Sequence, residues 1–242
     1  ANHERDIRPN LGRCVMTQLD LRKNVLEKNE VLADSLRKDF TSNHVFVSNW
    51  VSSPGTGKTE LLTGLLTMAK ADGLNPAALV GDCATDNDAQ RLTASQALVR
   101  QIETESMCHL EADMISTHLD GWDLSSIDLL VIENVGNLVC PAAYDLGEGT
   151  RVALLSVTEG EDKPVKYPQL FHSADVVVVT KVDLAAAVEW DRDSALNAIR
   201  SVNPTAAVIE TSARTGAGVR ELLTTLLTDQ PVSSHREYQE AP

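Results

Sequence analysis

Across residues 17–40 the apolar residues Leu19, Leu21, Val25, Leu26, Val31, Leu32 and Leu36 recur at mixed three- and four-residue steps among Lys, Arg, Glu and Asp. That spacing predicts one amphipathic helix, or two in succession. Thr41, Ser42 and Asn43 break the pattern, and the chain then changes to short apolar runs separated by helical stretches. The runs at 45–51, 77–80, 98–102, 127–132, 152–157, 176–180 and 206–209 predict strands, with helices expected at 59–71, 86–94, 110–119, 190–201 and 219–227. Residues 176–179 are all valine, apolar on both faces as a strand buried from both sides must be. Strand alternating with helix argues for an α/β fold with a doubly wound, mostly parallel sheet and helices on both faces. The expected organisation is an N-terminal helical arm (1–43), a main domain (44–229) and a polar tail (230–242).

The 242 residues suffice for one well-packed domain. Lys and Arg number 21 against 35 Asp and Glu, a net charge of −14, which disfavours nucleic acid as a partner and requires any anionic ligand to be held locally. No apolar stretch approaches the roughly 20 residues that span a bilayer, so no membrane association is expected. The first ten residues are polar and charged, without the apolar segment of a secretory signal, and the expected location is cytoplasmic. The cysteines, Cys14, Cys83, Cys108 and Cys140, are scattered, which suits structural thiols or metal ligands better than a disulfide framework.

After the first apolar run comes Ser52-Ser53-Pro54-Gly55-Thr56-Gly57-Lys58-Thr59-Glu60, which fits G-x-x-x-x-G-K-[ST] apart from Ser52 in the first glycine's place. Ser52 must then keep φ below zero. In a strand-to-helix turn, the backbone N–H groups of Ser53 and of Gly55 through Thr59 cradle phosphate, Lys58 reaches the β/γ oxygens and the Thr59 hydroxyl ligates Mg²⁺. A P-loop NTPase is the reading. Thr180-Lys181-Val182-Asp183 closes the valine strand: Lys181 can stack on a base and Asp183 can accept two hydrogen bonds from guanine, a donor pair adenine lacks. Ser212-Ala213-Arg214 after the last strand supplies a backbone N–H for guanine O6. These elements resemble the [NT]KxD and SA[KR] motifs of GTPases, with Thr180 for the commoner Asn. Glu133-Asn134-Val135-Gly136-Asn137 falls where the γ-phosphate is sensed, Glu133 toward Mg²⁺ and Gly136 N–H toward phosphate. No glutamine stands where the attacking water is usually oriented, so slow intrinsic hydrolysis of GTP to GDP is expected.

Residues 81–88 (GDCATDND), 108–112 (CHLEA), 133–141 (ENVGNLVCP) and 156–164 (SVTEGEDKP) together resemble the nickel-incorporation GTPases of NiFe-hydrogenase maturation, the HypB family, from about residue 45 to 227. A urease-type relative would carry Cys-Pro-His where Cys140-Pro141 is followed by Ala142, and the Cys-x-Cys-Cys of cobalamin-type relatives is missing. The resemblance implies a GTP-hydrolysing metallochaperone with Mg²⁺ and Ni²⁺ or Zn²⁺. As partners it implies a second copy in a nucleotide-linked homodimer, a small zinc-containing nickel chaperone and the hydrogenase large-subunit precursor. The rival reading is a nickel or zinc storage or sensor protein with a regulatory GTP site.

Spacing alone leaves Cys108, His109 and Cys140 open as inert thiols beside a surface histidine, because ligands so far apart in sequence are a poor signal. By resemblance they are the metal ligands, a set of two thiolates and an imidazole that suits Ni²⁺ or Zn²⁺. Asp113, water or a second subunit could fill the open position. Asp82, ending the second strand, is by the same resemblance a candidate for the Mg²⁺ shell or for positioning water, which makes Lys58, Asp82 and Glu133 the catalytic set. Cys83 reads as a bystander, and Cys14 and His3 give the arm no nickel-binding tract. With only His3 and His44 before the phosphate loop there is no His-rich tract, and His118, His172 and His235 read as ordinary surface or core residues. Lys163 and Lys166 are candidates to reach a phosphate across a dimer.

Overall fold

A computed structural model of the chain describes residues 18–82, 87–104 and 107–228, the side chains of 18–22, 82 and 87 excepted. The first element is a single helix, α1 (Gln18–Ser42), which resolves the choice between one helix and two. It is followed by β1 (Phe46–Val51), α2 (Lys58–Ala71), β2 (Pro76–Asp82), α3 (Asn87–Thr93), β3 (Leu98–Glu103), α4 (Ala112–Leu119), β4 (Leu129–Glu133) and β5 (Thr150–Ser156). The rest is α5 (Lys163–Lys166), α6 (Pro168–Ser173), β6 (Val176–Thr180), α7 (Arg192–Val202), β7 (Ala207–Glu210) and α8 (Val219–Thr228). Every expected strand is present. The fourth starts later than expected because Asp123 Oδ1 accepts from Ser125 N (3.1 Å), winding Leu124–Ser126 into a 3₁₀ turn that uses up Ile127 as its cap. Helices α5 and α6 were not expected; their few apolar positions and two prolines read as loop. Each proline sits at the first or second helical position, where the missing N–H costs nothing.

The seven strands form one sheet in the order β3-β2-β4-β1-β5-β6-β7, with every neighbouring pair parallel. From the central β1 the chain winds outward through β2 and β3, returns to β4, and crosses to β5, β6 and β7. The direction of winding therefore reverses at β1, and the loops at the carboxyl ends beside that strand are where such sheets bind ligands. Period-two alternation assigns the core. Phe46, Trp50, Ala78, Val80, Val131 and Val178 pack with α2 and α8 into one continuous cluster on the first face.

The second face is built differently. Val47, Leu79, Ile115 and Leu130 form one cluster with α1 and α4, while Val51, Leu155, Phe171 and Ile199 form another with α6 and α7. Between them, on β1 and β5, lie the buried polar residues Asn49 and Arg151. Among the described residues no helix is long and apolar enough to cross a membrane.

Candidate nucleotide and metal sites

The loop from Ser52 to Gly57 leaves the central strand and enters α2 at Lys58. Gly57 has φ +92°, and a Cβ there would lie 3.4 Å from Lys181 Cε, so glycine supplies the left-handed turn and the room for the lysine stem. Ser52 takes a negative φ, as its side chain requires, and is buried, its hydroxyl donating to Ser53 O (2.9 Å). Thr56 Oγ1 donates back to the same carbonyl (2.8 Å), closing the loop on itself. The amino group of Lys58 donates to Asn134 O and lies 3.6 Å from Glu133 Oε1.

Thr59 Oγ1 donates to Glu133 Oε1 at 2.7 Å. Glu133 is almost fully buried, and burial raises its carboxyl above the ordinary range despite the opposing charge of Lys58 and the Thr59 bond. Its Oε2, and likewise Ser53 Oγ, is buried without a hydrogen-bond partner. An orphaned carboxylate oxygen beside a hydroxyl at the start of a helix is the donor set a hard divalent cation takes, so Thr59 and Glu133 fit Mg²⁺. Gly136 packs on the loop; a Cβ there would come within 3.1 Å of Pro54 Cγ and 3.2 Å of its backbone. Asn137 Oδ1 accepts from Val139 N (2.9 Å) and is engaged in its own turn.

At the ends of β6 and β7 a cavity of about 240 Å³ is lined in part by Gly57, Glu60, Lys181, Asp183, Ala213 and Arg214. Thr180 Oγ1 donates to Thr56 O (2.8 Å) and Lys181 Nζ to Gly55 O (2.6 Å), which ties the base side of the cavity to the phosphate loop. Asp183 accepts from Ser212 Oγ (2.6 Å) and Arg214 Nε (2.8 Å), and these two bonds hold its carboxyl below the ordinary range. Thr180, Lys181, Asp183, Ser212, Ala213 and Arg214 thus converge from two strand ends. Lys163 Nζ pairs with Glu159 Oε1 (3.0 Å), which lies 3.4 Å from Thr56 Oγ1, while Lys166 pairs with Asp162 at the surface.

Beyond β3, Cys108 and His109 approach Cys140, which begins the 3₁₀ turn Cys140–Ala143; the three candidate ligand atoms lie within 4.8 Å of one another. Asp113 is exposed and lies outside this group. The Cys108 thiol is pushed up, first by its hydrogen bond with Cys140 and then by burial. His109 Nδ1 faces Cys108 Sγ (3.9 Å), Nε2 meets Glu111 Oε1 (3.2 Å), and the ring stacks on Tyr144 with centroids 4.0 Å apart. A carboxylate on the far ring nitrogen fixes the tautomer that leaves Nδ1 facing the thiols. The donor set of two sulfurs and one imidazole fits a soft or borderline metal.

A buried polar seam joins the two sites. Asn134, whose carbonyl receives Lys58, uses its side-chain Oδ1 to accept from Leu110 N (3.2 Å), next to His109, and Nδ2 to donate to Asn49 Oδ1 (3.2 Å). Asn49 donates to Glu148 (3.4 Å), and Glu148 pairs with the fully buried Arg151 (2.7 Å). Arg151 in turn donates to Ala142 O (3.0 Å) and Tyr144 O (2.8 Å), at the turn that carries Cys140. Glu111, Tyr144 and the seam residues were not singled out from sequence. The available signal was polar residues set inside otherwise apolar strands. His118 and His172 bond backbone carbonyls as satisfied histidines, and His44 sits in a turn with φ 58°. The Asp82 side chain and His3, Cys14, Cys83 and His235 lie outside the described residues.

A glycine-containing loop on the central strand, its lysine and threonine at a helix start, and a carboxylate on the adjoining strand end define the nucleotide-binding domain of a P-loop NTPase. The model of the CobW/HypB/UreG nucleotide-binding domain family matches residues 46–210, and the chain belongs to that family. The hydrogenase maturation factor HypB of Azotobacter vinelandii is 45% identical over 216 residues, covering 89% of this chain and 70% of that protein. The crystal structure of HypB from Helicobacter pylori in complex with nickel superposes with a TM-score of 0.78 at 33% identity, covering 89% of this chain and 99% of that one. HypB from Archaeoglobus fulgidus gives 0.77 at 36% identity, covering 83% and 98%.

Proposed function

We propose that this chain is a GTP-hydrolysing metallochaperone that inserts nickel into a NiFe-hydrogenase, with nucleotide state and the Cys108, His109 and Cys140 group coupled. The observation that carries it is Asn134, which meets the phosphate-loop lysine through its carbonyl and the metal-side backbone through its amide. The kinship to HypB, one relative of which is seen with nickel, supports the cargo assignment.

On this reading Asp183 and the Ala213 N–H select guanine, Lys181 covers the base, and the loop from Ser53 to Thr59 with Glu60 holds the nucleotide. Thr59 and Glu133, with Asp82 a further candidate, would hold Mg²⁺, which would supply charge neutralisation at the phosphates. Lys58 stabilises negative charge as the γ-phosphate separates from GDP to water. Asn137 is tied into its own turn, consistent with slow turnover. Lys58 leaves Asn134 O when phosphate arrives, and Gly136, packed on Pro54, registers the change in the loop. The shift travels through Asn134 to Leu110, and through Asn49, Glu148 and Arg151 to the Cys140 turn. Nickel is cargo, with Zn²⁺ the competing ion, and a fourth ligand comes from water or a second copy in a nucleotide-linked homodimer. A nickel chaperone and the hydrogenase precursor are the expected donor and acceptor.

The test is titration of Ni²⁺ and Zn²⁺ into the GDP-bound and GTP-analogue-bound protein with dimerisation monitored. Different affinities in the two states, lost in Cys140→Ala, are expected, and equal affinities refute the coupling. A turnover assay separates this reading from a storage or sensor protein, which would show the coupling with negligible hydrolysis.

A further inference from the structure

We infer that Asn29, on the N-terminal helix, is a positioning residue for the Cys108, His109 and Cys140 group and sets the separation of its two halves. The inference rests on reading that group as the nickel site. Asn29 is buried in the middle of α1, and its amide is used at both ends on different segments. Oδ1 accepts from Ala112 N (2.8 Å) and Nδ2 donates to Asp145 O (2.7 Å). Ala112 opens α4 shortly after His109, and Asp145 follows the turn that begins at Cys140. One planar side chain therefore ties together the ends of both ligand-bearing segments.

The capping of α4 shows why the tie is needed. Glu111 occupies the N-cap position yet makes no side-chain cap bond, because its carboxylate is turned to His109 Nε2. A first-turn N–H left unpaired and buried is costly. Ala112 N is the first N–H of α4, one that a cap side chain at Glu111 does not serve, and Asn29 supplies its acceptor from another helix while the Glu111 carboxylate stays on His109 Nε2. Arg37 adds a second tie from the same helix, donating to both carboxylate oxygens of Asp145 (2.7 and 2.5 Å). None of the three grouped ligands lies on α1, so its part in the metal site is visible only in these bonds.

The experiment uses the full chain. Asn29→Leu removes both bonds at similar volume, Asn29→Asp keeps the acceptor and loses the donor, and Phe40→Leu loosens the buried far end of α1 as a control. Ni²⁺ affinity is measured by chelator competition, together with the thiolate-to-nickel charge-transfer band, GDP affinity and thermal stability. Asn29→Leu is expected to lose at least tenfold in Ni²⁺ affinity and to shift the band, Asn29→Asp to lose less, and Phe40→Leu to lower the melting temperature alone. GDP affinity stays as in wild type throughout. Wild-type nickel affinity and band in a folded Asn29→Leu, or an equal nickel loss in Phe40→Leu, overturns the inference. If the leucine variant does not fold, wild-type affinity in Asn29→Asp does the same. A wild-type chain that takes up no Ni²⁺ through Cys108 and Cys140 overturns the metal reading itself.

Discussion

Asn134→Ala is the most informative single change, because it cuts the seam at its junction and leaves the phosphate loop and the thiols in place. The side chain is fully buried, accepts from Leu110 N (3.2 Å) and Val135 N (3.0 Å), and donates to Asn49 Oδ1 (3.2 Å). Its removal strands two N–H groups and one carbonyl oxygen. At about 1 kcal/mol for each bond where the surroundings relax, and up to about 3 kcal/mol for each group left dry, the loss lies between about 3 and 9 kcal/mol. Asn49 can rotate and water can enter the space vacated, so the lower part of that range, about 3–5 kcal/mol, is expected. That is a large share of a domain's usual 5–15 kcal/mol. Urea unfolding of the nucleotide-free protein reads this loss as a drop in midpoint at unchanged slope. The functional consequence is read separately, as the ratio of Ni²⁺ affinities in the GDP and GTP-analogue states. Binding couplings commonly correspond to 5–150-fold, and in Asn134→Ala the ratio falls to about one. Asn49→Ala spares the bonds from Leu110 N and Val135 N to Asn134, removes two others at a cost of about 2–3 kcal/mol on the same reckoning, and serves if the first variant does not fold; its ratio is reduced too. A folded Asn134→Ala that keeps the wild-type ratio refutes the route from Lys58 to the metal group.

Further expectations follow from the same geometry. Lys58→Ala abolishes hydrolysis with a cooperative unfolding transition retained, checked by phosphate release and circular dichroism; wild-type turnover in the folded variant would remove Lys58 from the catalytic set. Asp183→Asn exchanges GTP for XTP preference, because an amide donates to the xanthine 2-oxo group where the carboxylate accepted from guanine, and competition binding checks it. Glu133→Gln stabilises the nucleotide-free chain while weakening Mg²⁺-dependent nucleotide binding. Because burial raises the Glu133 carboxyl, the folded chain binds that proton more readily than the unfolded one. Wild-type stability should therefore contain a component that is full below the unfolded value, about pH 4.3, and is lost as pH rises through the folded value. Unfolding curves across pH should show that component in wild type and not in the glutamine variant.

The phosphate loop and the base-reading segments were legible because their chemistry is contiguous: Gly57-Lys58-Thr59 and Thr180 to Asp183 each carry a complete local signal. Cys108 and Cys140 were not legible from spacing, since their approach depends on β3 and β4 both flanking β2, a fact of strand order. Only the family resemblance put them together. Asn29 gave no signal at all, being one more polar residue in a polar helix. Asn49 and Arg151 gave a signal that went unused. Each interrupts or opens an apolar strand run, and a polar group buried there must find partners. Helices α5 and α6 were hidden by prolines that break helices in their interior and start them at their ends.

The division of the second sheet face into two clusters with a polar seam between them has a consequence for how the chain opens. Apolar packing that does not cross the seam cannot make the two lobes share one cooperative unit, whereas the α2 and α8 face is a single cluster. Native-state amide exchange should therefore find the amides of α1 and α4 exchanging together through one sub-global opening and those of α6 and α7 through another. Residues of β1 should exchange only with global unfolding. Leu110, beside His109, packs in the first lobe and Ala142, in the Cys140 turn, packs in the second, so either opening moves one half of the metal group against the other while the nucleotide cradle on β1 and α2 stays closed.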